Sequence, residues 1–264
     1  MTNPSAGYNL AEFAAANAEF ARLDRQAAMF AREEERALEV VGLPTAGVLL
    51  DVGCGPGSVA QRLQKARPAM RVVGIDVEPQ MVKLASQRGL PCATASALAL
   101  PFADDVFDAI HTRFVLRHLS DAKAAVNALR RSLKPGGCLA VLDADDDTLI
   151  MHPAQDAFRR AYEARGAGAR RRGADPNIGR KLGALLRTNG FSDVRIHPFY
   201  VHTGACSRED LAQLLSAWLQ GIEPDVLAPD DVKRGAAELA AWTHDQDAFG
   251  MVGVVAASGR KTDA

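Results

Sequence analysis

Between Val48 and Asp143 the chain switches repeatedly between two periodicities, and that alternation limits the folds open to it. Short apolar runs recur at "VLLDV" (48–52), "RVVGID" (71–76), "LPCATAS" (90–96), "VFDAIHT" (106–112) and "GCLAVLD" (137–143). Runs of this length read as strands buried on both faces. Helical stretches separate them. "GSVAQRLQKA" (57–66) sets Val59 and Leu63 four apart, and Pro79 opens a helix to about Arg88. "DAKAAVNALRRSL" (121–133) has Ser120 or Asp121 as cap and "KPGG" as its close. Strands joined in this way by right-handed crossovers build an open, doubly wound sheet.

The flanks depart from this rhythm. Over residues 10–40, Phe13, Phe20, Leu23, Ala27 and Phe30 recur at spacings of three, four and seven, which predicts a helix. "REEER" (32–36) reads as its solvated face, and Gly42 and Pro44 stop it. After Asp143, residues 144–190 are polar and helix-like and include "RGAGARRRGADPNIGR". "GFSDVRIHPFYV" (190–201) predicts a strand. "SREDLAQLLSAWLQGI" and "DDVKRGAAELAAW" predict helices that open on capping signals, and "FGMVGVVAASGRK" (249–261) a last strand. The expected fold is α/β: a mostly parallel, seven-stranded, Rossmann-like sheet under a helical cap. Residues 1–42 form an N-terminal cap segment and 43–143 the ligand-binding half. Residues 144–264 hold the remaining strands, with cap insertions at 144–190 and 205–246.

A chain of 264 residues with 48% apolar residues buries enough surface to fold without a disulfide or metal. Cys54, Cys92, Cys138 and Cys206 form no CxxC pair, and no His lies at zinc-finger spacing. They read as reduced thiols, which predicts a cytoplasmic protein. A net charge of -1 supplies no field for nucleic acid. "MTNPSAGYNLAEF" lacks the basic and apolar regions of a signal peptide, and no apolar run approaches a membrane span. The expected partner is a small molecule rather than nucleic acid or membrane.

The ligand loop is "LLDVGCGPGSVA" (49–60). Gly53, Gly55 and Gly57 follow a strand, so backbone rather than side chains is needed there. A nucleoside-triphosphate loop would carry GxxxxGK and Ser or Thr, and no Lys follows Gly57. A dinucleotide loop would read GxGxxG, and Ser58 stands where its third glycine belongs. Asp51 lies two residues before Gly53, where a carboxylate repels pyrophosphate and attracts a cation. Asp76 ends the second strand, the place of a ribose-binding acid. Together they fit a cationic nucleoside without phosphate, as in S-adenosylmethionine.

On these residues the chain resembles the class I S-adenosylmethionine-dependent methyltransferases, small-molecule branch, of the ubiquinone/menaquinone (UbiE-like) type. "VLLDVGCGPG", "VVGIDVEPQMVKLA", "LALPFADDVFDAIHTRFVLRHLSD" and "LRRSLKPGGCLAVLD" follow that family's order. The resemblance implies that Gly53, Gly55 and Gly57 approach the methionine portion of the cofactor, with Asp51 beside it. It implies that Asp76 takes the ribose hydroxyls, with Val77 next to it, and that Met81 covers an adenine face. The family often has Asp after the third strand. Here Ser96, Ala97 and Leu98 stand there, and a serine hydroxyl or backbone would take the adenine amino group. Arg113 is expected beside the methionine carboxylate. Tyr8 and Arg22, on the N-terminal helix, are further expected contacts.

In-line methyl transfer gains most from positioning, ~7–11 kcal/mol, and less from a general base. His118, in "RFVLRHLSD", is the candidate base, with His111 near it after the fourth strand. In "DADDD" (143–147), Asp143 or Asp145 reads as a holder of a cationic acceptor or metal; the alternative is one cap and several solvated acids. The cap aromatics Phe158, Tyr162, Phe199, Tyr200, Trp218 and Trp242 point to a hydrophobic or aromatic acceptor, or to core. A non-methylating binder or cyclase of the same fold is the second reading.

Overall fold

The protein is described from a computed structural model covering residues 16–262. Tyr8 and Phe13 lie outside the described residues. The elements in chain order are α1 (Ala16–Val40), β1 (Ala46–Val52), α2 (Ser58–Ala66), β2 (Ala69–Asp76), α3 (Pro79–Gln87), β3 (Cys92–Thr94), β4 (Phe107–Arg113), α4 (Ala122–Ser132), β5 (Leu133–His152), α5 (Asp156–Arg171), α6 (Leu182–Thr188), β6 (Phe191–His202), α7 (Arg208–Ala217), α8 (Pro229–Trp242) and β7 (Phe249–Lys261). Two 3₁₀ turns, Leu116–His118 and Ile178–Lys181, precede α4 and α6.

The seven strands form one sheet in the order β3-β2-β1-β4-β5-β7-β6. The first five run parallel, and β7 is antiparallel to both β5 and β6. Successive residues of β1 enter opposite cores. Leu49 packs with α1, α2, α5, α7 and α8, and Leu50 with α4 and α6. This two-sided burial is why the strands read as apolar runs. It also places β1 where the strand order reverses, so the loops after β1, β2 and β4 open on a shared crevice.

Three expectations change. The fifth strand does not stop at Asp143: β5 continues to His152, because β7 offers ladder partners from Arg260 to Phe249. The acids of "DADDD" therefore lie in a strand rather than at a helix cap. Within "REEER", Glu34 is fully buried. It falls four residues after Phe30 and four before Leu38, on the apolar stripe of α1 rather than its solvated face. Finally, α8 opens on Ala228 and Pro229 without a side-chain cap, whereas Asp121 and Ser207 cap α4 and α7 as expected.

Candidate active site

A cavity of about 260 Å³ opens at the carboxyl ends of β1, β2 and β4. Its floor is the glycine loop. Gly53 has φ 71°, and a Cβ there would stand 2.3 Å from Val115 Cγ2, so only glycine fits. Gly55 has φ 53°, and a Cβ would meet no protein atom within 4 Å. Backbone is thus bared to the cavity at that point. Gly57 does not line the cavity; it sits at the N-cap of α2 with Ala85 against it.

Two carboxylates flank the loop. Asp51 and His111 are register partners on β1 and β4, so both side chains leave the same face. Asp51 Oδ1 lies 2.8 Å from His111 Nδ1, while Oδ2 is buried with no hydrogen-bond partner. Asp76 Oδ2 accepts from the Gly55 amide at 2.8 Å and Oδ1 from the Glu78 amide at 2.9 Å. Burial pushes the Asp76 carboxyl above the usual carboxylate range despite these donors. Neither acid is ion-paired to a lysine or arginine among the described residues. This end of the cavity therefore presents two carboxyl groups with no lysine or arginine bound to either among the described residues.

The rest of the expected set falls close by. Val77, Met81, Ser96 and Ala97 line the cavity; Met81 is buried and Val77 exposed. Ser96 Oγ already accepts from the Leu98 amide at 3.2 Å, and Leu98 itself turns away from the cavity lining. Arg113 lines the cavity, but its Nε is bound to Glu34 at 3.0 Å, and its guanidinium stacks on Phe30 and Phe114. His111 is fully buried and outside the lining, so it supports Asp51 rather than facing a ligand. His118, half-buried on the first 3₁₀ turn, does face the cavity.

Helix α1 closes one side. Asp24 accepts from Ser58 Oγ and pairs with Arg88 at 2.7 Å, and Arg22, held by Glu19 at 2.6 Å, lines the cavity. Glu34 gathers Arg62 at 2.8 Å as well as Arg113. This buried anchor was missed in the sequence, although its place on the apolar stripe was a signal.

Opposite the glycine loop, the walls come from the 3₁₀ turn, α5 and residues 217–226. Ile222 and Val226 give them apolar surface, and Phe114, Val115 and Leu119, flanking the turn, extend it toward the glycine loop. Of the six aromatics expected in a cap, Trp218 alone lines this cavity. Phe158, Tyr162, Phe199 and Trp242 are core, and Tyr200 is exposed elsewhere. Behind Trp218 sits a polar cluster. Asp146 binds Arg117 at 2.7 Å and also Arg165, and both guanidinia lie over the indole, at 5.7 and 5.5 Å from its centroid. Burial would raise the Asp146 carboxyl, but the two arginines hold it below its ordinary value. Asp143 accepts from the Arg117 amide at 3.1 Å, and burial pushes its carboxyl up to about 7. Asp145 binds Arg180 at 2.5 Å. In "DADDD" Asp143, Asp145 and Asp146 are buried, Asp145 and Asp146 against arginine side chains and Asp143 against the Arg117 amide, while Asp147 alone is exposed; no cluster that could hold a metal occurs among the described residues.

The methyltransferase-domain family matches residues 50–141, which span β1 to β5 and hold every residue of the glycine-loop end. The matched segment is similar in sequence to a methyltransferase domain. A demethylmenaquinone methyltransferase of Thermus thermophilus is 41% identical over 101 residues, 36% of this chain and 46% of that protein. The chain thus spans about half the length of the curated relatives it matches. Solved structures share the fold beyond the domain. The geranyl diphosphate C-methyltransferase of Streptomyces coelicolor superposes with TM-score 0.54 at 13% identity, covering 87% of this chain and 79% of that one. The [4+2]-cyclase SpnF superposes with TM-score 0.57 at 24% identity, covering 90% and 83%.

Proposed function

We propose that this chain transfers the methyl group of S-adenosylmethionine to a small hydrophobic or aromatic metabolite. The observation that carries the reading is the charge asymmetry of the cavity. Its glycine-loop end holds Asp51, with one buried oxygen unpartnered, and Asp76, with no cationic partner among the described residues. Such an end suits a cation and repels phosphate. The residues fit the cofactor. Asp76 has further lone pairs for two ribose hydroxyls, Asp51 Oδ2 is placed for an ammonium, and Gly55 leaves room for close backbone approach. Met81 and Val77 offer apolar surface to adenine, and Ser96 or the backbone of Ala97 its polar edge. Gly57 and Leu98 act one step back, through α2 and through the Ser96 hydroxyl. Arg113 supplies field toward the carboxylate while Glu34 fixes its pose.

When bound, the cofactor supplies a methyl group already activated by sulfonium charge. The chain's own residues orient and exclude water. The apolar walls strip solvent from an acceptor, and Trp218 offers it a flat face. His118 faces the same space and is the residue proposed to take the acceptor's proton. The N-terminal helix, α5 with the residues that follow it, and residues 217–226 serve as the cover.

Formation of S-adenosylhomocysteine with a member of a metabolite panel tests the reading; binding of S-adenosylmethionine without turnover of any member favours the second one. That alternative is a non-methylating protein of this fold, favoured by the likeness to a cyclase over 90% of the chain. For the base, His118→Ala should cut turnover by about 10²-fold or more at unchanged cofactor affinity. Unchanged turnover removes His118 from the chemistry.

A further inference from the structure

Five arginines line the cavity, and each is spent. Arg22 pairs with Glu19 at 2.6 Å, Arg113 with Glu34 at 3.0 Å and Arg172 with Glu223 at 2.8 Å. Arg117 and Arg165 share Asp146. The pairs differ in weight. Arg172–Glu223 is half-exposed at the rim, where solvent screens it. Arg117 and Asp146 are buried and Arg165 is partly buried, so solvent screens their charges less beside Trp218. Asp146 itself does not line this cavity. It acts through the two guanidinia that do.

That arrangement has a consequence for the acceptor. Two guanidinia over the indole would make the far end of the cavity an anion site. Asp146 takes one N–H from each guanidinium from behind, and Asp143 places a second buried carboxyl against the Arg117 amide. The acceptor end is left with an aromatic face and two guanidinia whose joint charge Asp146 offsets in part. We infer that Asp146 sets the charge preference of the acceptor site, so that it takes an uncharged planar molecule and rejects the carboxylate analogue of the same shape. This rests on the reading of the cavity as a cofactor end joined to an acceptor end. Asp146 is then a positioning and specificity residue, not a catalytic one.

The test uses 2-naphthol and 2-naphthoate, one ring system without and with a charge. Each is titrated calorimetrically into the full chain, with and without saturating S-adenosylhomocysteine. The wild-type chain should prefer naphthol by about tenfold or more. Asp146→Asn should reduce or invert that ratio about tenfold, since two guanidinia become available to the anion. Adding Arg165→Gln to Asp146→Asn should restore the preference for naphthol. A merely structural role would weaken both probes equally and leave the ratio alone; that result overturns the inference. So does a wild-type chain that binds naphthoate as well as naphthol, or neither. If Asp146→Asn does not fold, Arg165→Gln alone must raise the naphthol preference, and an unchanged ratio overturns it. Failure of S-adenosylhomocysteine to bind would sink the cofactor reading instead, while the probe ratio on the ligand-free chain still reads the charge claim.

Discussion

At the glycine-loop end the cavity is walled by segments close in sequence: residues 51–58, 76–81 and 95–97. At the acceptor end it is walled by the turn at 116–118, α5 and residues 217–226, with α1 closing over from the N-terminal side. The first end leaves Asp51 and Asp76 without a lysine or arginine partner among the described residues, Asp51 meeting His111 alone. The second ties its arginines to acids, Arg117 and Arg165 sharing Asp146 and Arg172 pairing with Glu223. In the proposed function the two ends divide the work, one taking a cation with local backbone and two carboxylates, the other holding its arginines in long-range ion pairs.

Substitutions that strike one end and spare the other sharpen this contrast. Glu34→Ala should have the largest effect, because it leaves the nearly buried Arg113 and the partly buried Arg62 without their shared acid. Breaking such a group costs about 3–5 kcal/mol. A fall of melting temperature on the order of 10 °C is expected in a thermal scan. A shift under 2 °C would mean that α1 is not anchored there.

Asp76→Ala comes next. It strands the Gly55 and Glu78 amides and removes the proposed ribose partner. S-adenosylhomocysteine affinity should fall several-fold to hundreds-fold by calorimetry, with the naphthol affinity of the other end unchanged. Equal losses at both ends would break the comparison.

The same substitution at two glycines makes a smaller test. Gly53→Ala forces a Cβ onto Val115 at a positive φ and should cost ~1–3 kcal/mol. Gly168→Ala, on α5 with nearest contacts at 3.7 and 3.8 Å, should hold or raise stability through helix propensity. Melting temperatures of the two variants decide it; equal losses would contradict the close fit argued for Gly53.

The smallest effect concerns pH. Burial raises the Asp143 carboxyl to about 7, so the fold favours its protonated form. That contribution is fully present below the ordinary carboxylate range and is lost as pH rises through about 7. Wild-type melting temperature should therefore decline by a few degrees more between pH 5.5 and 8 than that of Asp143→Asn. Parallel profiles would show that Asp143 does not titrate in this window.

The same division explains what could be read from the residues alone. The loop around Gly53 and Gly55, and Asp76 at the end of its strand, depend on spacing within a few dozen positions, and periodicity shows that. Glu34 lay within reach too, at four residues from both Phe30 and Leu38, but its charge concealed its place on the buried stripe. Asp146 was not legible. Its partners Arg117 and Arg165 lie 29 and 19 residues away on different elements. Nothing in "DADDD" says that β7 will extend the strand and carry the acids inward. Trp218 could not be told from Trp242, since both sit in amphipathic helical segments and only packing turns one to the cavity and one to the core.

The central claim is that the glycine-loop end is built for a cationic nucleoside rather than for pyrophosphate. Its most direct measurement is a thermal-shift titration of the wild-type chain with S-adenosylmethionine and with NAD in parallel. The account predicts concentration-dependent stabilisation by S-adenosylmethionine, about 2.7 kcal/mol at a hundredfold excess over Kd, and none by NAD. Stabilisation by NAD but not by S-adenosylmethionine would contradict it.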